Sequence, residues 1–409
     1  MLKKILKGGT VSLFRQVISV FISLYTYSLI TNNIEPSVFG DVVLCILFVN
    51  ILSLLITWSY NSYLIRYISK SLIEKYEVEY LYKYNYLVLF VSIVVVLFLL
   101  VFLLFGVNDA KIYLLMLIFL CVLWDGLLVS ILCGYQKYIA SDAMSIIQPF
   151  IFCLVIVLYS SSFGESEYLS FYLLSLFSSV LFKLFYVLFK IKGRIFKITK
   201  CNPIELYKSS TLILFSNLIT MCVYRAHYFI ISIFVGPHYL GLFALSQQIA
   251  EKAWMLPGAY SSVIYPILSN NKLDKQNHEI IGILKLMALV MLLTTASVLF
   301  IGFSPDNLFT FIFNERYLEA KEIILYMSLG IGFWSGVKII ASIFSALGLF
   351  ENNFKVSMLS FIVSSLFVLI SALIEPNAIG ISISFGYFCG LIYSLKLIYS
   401  YLYGNEEKQ

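Results

Sequence analysis

The stretches TNNIEPSVFGDVVL at 31–44 and SIFVGPHYLGLFAL at 232–245 carry the same turn. Each leaves an apolar segment, reaches a Pro, runs three residues to a Gly and enters a new apolar segment. Pro36 and Gly40 recur as Pro237 and Gly241, an offset of 201 residues in a chain of 409. A turn repeated at half the chain length implies that its flanking segments are repeated too. The nature of those segments decides the fold.

Hydrophobic residues make up 61% of the chain and charged residues 12%, against about 25% charged in ordinary soluble domains. So few charges could not cover a water-soluble surface, and the composition predicts an integral membrane protein. The apolar runs are about 20 residues long, which lets a helix rising 1.5 Å per residue cross a hydrocarbon core of about 30 Å. They are not the alternating ten-residue segments of a barrel strand. Twelve helices are expected, near 10–31, 39–59, 84–105, 112–132, 142–161, 169–190, 209–235, 240–268, 281–303, 322–346, 357–374 and 378–402. The helices over 209–268 are longer than a bilayer requires, and Pro257 with Gly258 predicts a kink there.

The basic connection KIKGRIFKITKCNP at 190–203 divides the chain into two six-helix halves, residues 1–200 and 201–409. The fourth helices match as well: WDG at 124–126 faces WSG at 334–336, and Gly134 faces Gly348. Both halves cross the membrane an even number of times, so the repeats run parallel about an axis along the membrane normal. The expected fold is an all-α membrane protein of two six-helix bundles around a central cleft. Alternate exposure of that cleft makes a transporter the expected mechanism class.

Lys and Arg in the connections orient the chain. Eighteen fall on one side, from Lys3 to Lys408, and three on the other, Lys111, Arg316 and Lys321. By the positive-inside rule both termini are expected in the cytoplasm. The formal charge of +6 then reports topology and gives no reason to invoke nucleic acid. MLKKILKGG precedes an apolar run too long for a cleaved signal, with no small-x-small site after it. The seven cysteines are scattered without a C-x-x-C pair and read as apolar packing residues. No metal or cofactor is expected.

Seven cations remain within the spans: Arg15, Lys183, Arg225, Lys252, Lys285, Lys338 and Lys396. Such charges are costly and face watery interiors. Arg15, Lys183, Lys285 and Lys396 lie near cytoplasmic helix ends, where a long side chain can snorkel to the headgroups. Arg225 and Lys252 lie ten and twelve residues from the outer ends of their expected spans, roughly 15 to 18 Å deep at the helical rise, and Lys338 is intermediate. The nearby acids are Glu251 and Asp125. Gln247, Gln248, Glu251 and Lys252 share one broad helix face, and Asn217, Thr220, Tyr224 and His227 share another. Hydroxyls, amides and aromatics beside fixed positive charge suit a sugar attached to a phosphate. An internal pair of Arg225 with Glu251, and hydrogen bonds between helices, are the structural alternatives.

Enzymatic motifs are absent from the sequence: no G-x-x-x-x-G-K-[ST], no H-E-x-x-H and no G-x-S-x-G. ATP-driven chemistry within the chain is not expected.

The segment YRAHYFIISIFVGPHYLGLFALSQQIAEKAWMLPGAYSSVIYPILS at 224–269 resembles the seventh and eighth helices of Wzx-type flippases, in the multidrug/oligosaccharidyl-lipid/polysaccharide exporter superfamily. EPSVFGDVVL at 35–44 resembles that family's first outer turn. Family members commonly carry an acidic residue where YRAH stands, so Arg225 and His227 depart from the pattern and put in question an ion-coupling role carried over from relatives. The resemblance implies movement of an undecaprenyl-diphosphate-linked oligosaccharide, an O-antigen or capsule repeat unit, to the outer leaflet of a bacterial inner membrane. Arg15, Arg225, Lys252 and Lys338 would meet the diphosphate, and Glu251, Gln248, His227 and Asp125 would complete the substrate site. A polysaccharide polymerase, chain-length machinery and a coupling ion are the implied partners. A drug or cation antiporter of the superfamily would want more carboxylates in the membrane. A peptidoglycan-precursor flippase would carry helices beyond twelve.

The charge asymmetry makes a topology test. In a cysteine-replaced background, single cysteines at 162–168 and 304–318 are expected to react with an impermeant thiol reagent on intact cells. Those at 192–202 and 270–278 are expected to stay protected; external labelling of 192–202 would reverse the orientation.

Overall fold

The computed structural model describes residues 2–58, 61, 64, 65, 68, 88–99, 109–135, 137–159, 163–190, 203–269 and 273–403. All regular structure among them is helical, because in hydrocarbon each backbone N–H and C=O has to be satisfied within its own segment. In chain order these are α1 (Leu2–Asn33), α2 (Pro36–Thr57), α3 (Val88–Leu99), α4 (Ala110–Gly134), α5 (Tyr138–Ser145), α6 (Ile147–Tyr159) and α7 (Glu165–Lys190). There follow α8 (Pro203–Phe234), α9 (Pro237–Lys252), α10 (Met255–Ser269), α11 (Leu273–Gly302), α12 (Asp306–Phe313), α13 (Ala320–Ala346), α14 (Phe350–Ile374) and α15 (Ile379–Tyr403).

Eight of the described helices are long and apolar enough to cross a membrane, and Val88–Leu99 and Ala143–Tyr159 are shorter apolar helices. With α1 and the broken α9–α10 pair they account for the expected spans. The basic connection over 191–202 lies outside the described residues.

Two spans are interrupted for one reason. The turns at Ile146 and at Ala253–Trp254 lie just before Pro149 and Pro257. Proline has no N–H to give, and its ring collides with the carbonyl four residues back, here at Ser145 and Ala253. The chain tightens instead: Ala253 N–H donates to Ala250 O (3.1 Å) and Trp254 N–H to Glu251 O (3.0 Å), three-residue bonds in place of the α-helical four. The expected kink is thus present, one turn ahead of the proline that causes it.

Contacts group the chain into two compact units, one of Met1–Gly40 with Ile219–Gln409, the other of Asp41–Leu218. In the first unit α13 is the hub, packing against α9, α10, α11 and α15, with 72% of its apolar window buried. Its small residues allow this: Gly332 faces Met291 and Thr295 of α11, and Gly336 faces Met291 and Leu391, the close approach on which helices in lipid depend. In the second unit α4 packs on α7, and Gly126 and Gly134 receive Asn61 and Ile68.

The repeated turns meet inside the first unit. Pro36 and Pro237 open α2 and α9, positions where a missing N–H leaves no bond unmade. A Cβ on Gly40 would lie 2.5 Å from Pro237 O and 2.9 Å from Gly241 N, and one on Gly241 would overlap the Pro36 carbonyl. Each glycine therefore receives the other turn's proline, and the contact is reciprocal.

That contact is backbone against backbone and cannot yield as a side chain would. Gly40→Ala and Gly241→Ala are each expected to cost about 1–3 kcal/mol, Gly241→Ala the more. Thermal unfolding in detergent reads this; unchanged melting midpoints in both variants would refute the close contact.

Candidate functional site

Intramembrane charge in the first unit gathers where α8, α9, α10 and α13 approach one another. Arg225 stands on α8 about nine residues from its outer end, and Glu251 and Lys252 close α9 at the break that Pro257 imposes. A helix C-terminus carries partial negative charge from its unpaired carbonyls, which favours Lys252 and disfavours Glu251. Glu251 is held nonetheless. Arg225 Nη2 donates to its Oε2 at 2.8 Å and Gln247 Nε2 to its Oε1 at 2.7 Å. Gln247 also donates to Tyr224 O at 2.7 Å, and Arg225 Nη1 to the Tyr228 hydroxyl at 2.9 Å. The Arg225 and Glu251 side chains keep 27% and 17% of their surface exposed, so the pair borders open space.

The two lysines are placed differently. Lys338 Nζ of α13 lies 3.9 Å over the Trp254 ring and 5.4 Å over Tyr224, and Lys252 Nζ lies 5.4 Å over Tyr27 of α1. Among the described residues no carboxylate forms an ion pair with either.

Aromatic packing fixes this arrangement. Trp334 Nε1–H donates to the Tyr224 hydroxyl at 2.7 Å and Trp254 Nε1–H to Ile331 O at 3.0 Å. Trp334 and Tyr387 pack with ring centroids 4.8 Å apart, Tyr224 and Trp254 with centroids 5.2 Å apart. Trp254, Trp334 and Tyr387 are buried and act as the wall behind Lys338. The polar tips of these rings find partners, as buried indole and phenol groups require.

The structure thus brings Arg225, Glu251, Lys252 and Lys338 together. Gln248 is half-buried, while its neighbour Gln247 is the amide within the network. His227 is fully buried, its Nε2 3.1 Å from Ser364 Oγ of α14. Arg15 belongs to α1, and its side chain lies outside the described residues. Asp125 belongs to the second unit, where Lys183 Nζ donates to it at 2.6 Å. This corrects the reading of Lys183 as a snorkelling residue: its side chain is 2% exposed, because a carboxylate on α4 offers closer compensation than the headgroups. Lys285 and Lys396 do remain exposed. Sequence reasoning missed Trp254, Tyr387 and Tyr27. Trp254 had a signal, two residues after Lys252 at a predicted kink; Tyr387 had none.

The profile of a family described as "Polysaccharide biosynthesis protein" matches residues 5–272. The chain belongs to this family. The matched region holds Arg225, Glu251 and Lys252, and Lys338 lies beyond it. No curated protein sequence matches the chain.

Among solved structures, an inward-facing multidrug resistance MATE family transporter of the MOP superfamily is similar at TM-score 0.75 and 11% identity, over 98% of this chain and 99% of its own. A MOP superfamily transporter from Pyrococcus furiosus is similar at TM-score 0.69 and 13% identity, over 98% and 95%. The lipid II flippase MurJ in an inward closed conformation is similar at TM-score 0.59 and 13% identity, over 95% and 87%. The protein is a multi-pass membrane protein with the MOP superfamily fold.

Removing one member of a buried ion pair leaves the other uncompensated, at about 3–5 kcal/mol. Asp125→Ala is therefore expected to lower the melting midpoint sharply, and Asp125→Leu combined with Lys183→Met to recover most of the loss. Equal midpoints for Asp125→Ala and the unaltered protein would remove the pair from the stabilising interactions of the second unit.

Proposed function

We propose that the protein is a flippase carrying an undecaprenyl-diphosphate-linked oligosaccharide, an O-antigen or capsule repeat unit, from the cytoplasmic to the periplasmic leaflet of a bacterial inner membrane. Transport proceeds by alternating access, without enzymatic chemistry on the substrate, and both termini lie in the cytoplasm. The observation that carries this reading is the pair of intramembrane lysines, Lys252 and Lys338, resting on aromatic rings in place of carboxylates. Membership of a polysaccharide biosynthesis family supports it.

An ammonium over a ring gains about 0.5–2 kcal/mol, whereas a hydrogen bond to a charged group contributes about 1.5–3 kcal/mol. A diphosphate therefore draws both lysines off their rings, and the rings take them back when it leaves. The net gain is modest, which favours turnover over trapping. Arg225 is held by Glu251 and joins the phosphate only if that pair opens; Arg15, whose side chain lies outside the described residues, would be a further phosphate contact. Gln248 and the hydroxyls of this face would meet the first sugar. A polymerase with its chain-length machinery would receive the exported unit, and an ion gradient would reset the carrier.

Pocket charge decides between this cargo and others of the fold. The Pyrococcus furiosus transporter is described as having a binding pocket of reverse polarity that suggests a different function, so polarity is a property this fold varies. A surplus of cations disfavours an organic-cation antiporter. A peptidoglycan lipid precursor shares the diphosphate chemistry, and the fold shared with a lipid II flippase keeps it as the second reading.

Lys252→Gln and Lys338→Gln are each expected to lower surface glycan about tenfold or more, the effect of losing one charged contact, at normal protein abundance. The lipid-linked intermediate that accumulates inside the cell identifies the cargo. For Arg225 the deciding variant is Arg225→Ala with Glu251→Ala: restored export would show that Arg225 is no phosphate ligand.

A further inference from the structure

Helix α12 follows directly on the outer end of α11, separated from it by Phe303, Ser304 and Pro305. Its eight residues, DNLFTFIF, divide into three faces when successive residues are turned by about 100°. Phe309 and Phe313 are buried. Asp306, Asn307 and Thr310 make a polar face, with Asp306 67% exposed. Leu308 and Phe311 make the third, and Phe311 is 83% exposed. An amphipathic helix in a soluble protein needs two faces, one for the core and one for water. A third, apolar and bare, requires a third surrounding.

The neighbouring span indicates that surrounding. Leu289, Leu292 and Phe300 form an exposed stripe along membrane-spanning α11, and Phe303 just past its end extends it, with Phe300 81% and Phe303 73% exposed. Their spacing of three to four residues, or twice that, keeps them on one side of the helix. Leu308 and Phe311 lie just past the outer end of that span and are likewise exposed. We propose that α12 is an interfacial helix that seats Leu308 and Phe311 in the boundary between headgroups and acyl chains.

Its inner side grips the outer end of α1. Ser28 Oγ donates to Ile312 O at 2.5 Å, and the Tyr317 hydroxyl, just past α12, donates to Ile34 O at 3.2 Å. Tyr317 also meets Phe39 edge to face at 6.5 Å between centroids. Tyr317 is fully buried, and burial raises its hydroxyl pKa above the ordinary phenol range. Glu35 and Arg316 approach to 3.7 Å on the exposed side, a contact of little energetic weight. Through these bonds the lipid surface holds the first Pro-x-x-x-Gly turn at a fixed depth, and the bonds themselves join α12 to that turn whatever cargo the protein carries.

The test is spin labelling of the full-length protein, its seven cysteines replaced, in vesicles of phosphatidylethanolamine and phosphatidylglycerol. Labels at Phe311→Cys and Leu308→Cys are expected to collide with dissolved oxygen several times more readily than with a water-soluble nickel complex. Asn307→Cys is expected to show the reverse order. Greater nickel access at 311 would place the face in water and overturn the proposal. Low access to both reagents would mean that protein, such as a second copy of the chain, covers the face, and would overturn it too. Leu308→Cys carries the same test if Phe311→Cys fails to reach the membrane.

Discussion

A charge inside hydrocarbon has to find a partner or open space, and the described intramembrane cations of the two units meet that demand in different ways. Lys183 is sealed against Asp125. Arg225 is tied to Glu251 at an edge that stays partly open. Lys252 and Lys338 rest on aromatic rings. Because removing water costs an ion several kcal/mol, these differences grade availability. The sealed pair joins two helices of one unit, and the ring-held lysines are the cations that the proposed anionic cargo would recruit.

The same demand shapes the backbone. Helices satisfy their own polar groups in lipid, so departures from helicity need a cause and a use. Pro257 causes the break after Lys252, and the use is to place the end of a helix, with Glu251 and Lys252 on its last turn, within the membrane. The same break sets Trp254 between α9 and α10, where its ring lies 3.9 Å from Lys338 Nζ.

Close packing of small residues does the remaining work. The turns at Pro36–Gly40 and Pro237–Gly241 face each other with reciprocal backbone contact, so the two occurrences of the turn form an interface with each other. The α13 hub uses Gly332 and Gly336 to admit α11 and α15 at close range, and Trp334 of α13 packs at a tilt against Tyr387 of α15. The wall behind the lysines depends on these glycines although none of them touches a charge.

The sequence by itself determined the membrane setting, the helical class, the span positions and the repeated turn. Each depends on local quantities: apolar run length, the fixed φ of proline and the chain spacing of like residues. It also marked Arg225, Glu251, Lys252 and Lys338, because charge within an apolar run is conspicuous whatever it contacts. Only the tertiary structure decided what those charges do. Lys183 had the spacing of a snorkelling residue until Asp125, 58 positions away, supplied a nearer partner. Gln247 and Gln248 were indistinguishable along the chain, and helix packing turned one toward Glu251. The rings that hold Lys338 come from positions 224 and 254, and that of Lys252 from position 27. Such a contact has no period in the sequence, since it exists only once separate helices have packed.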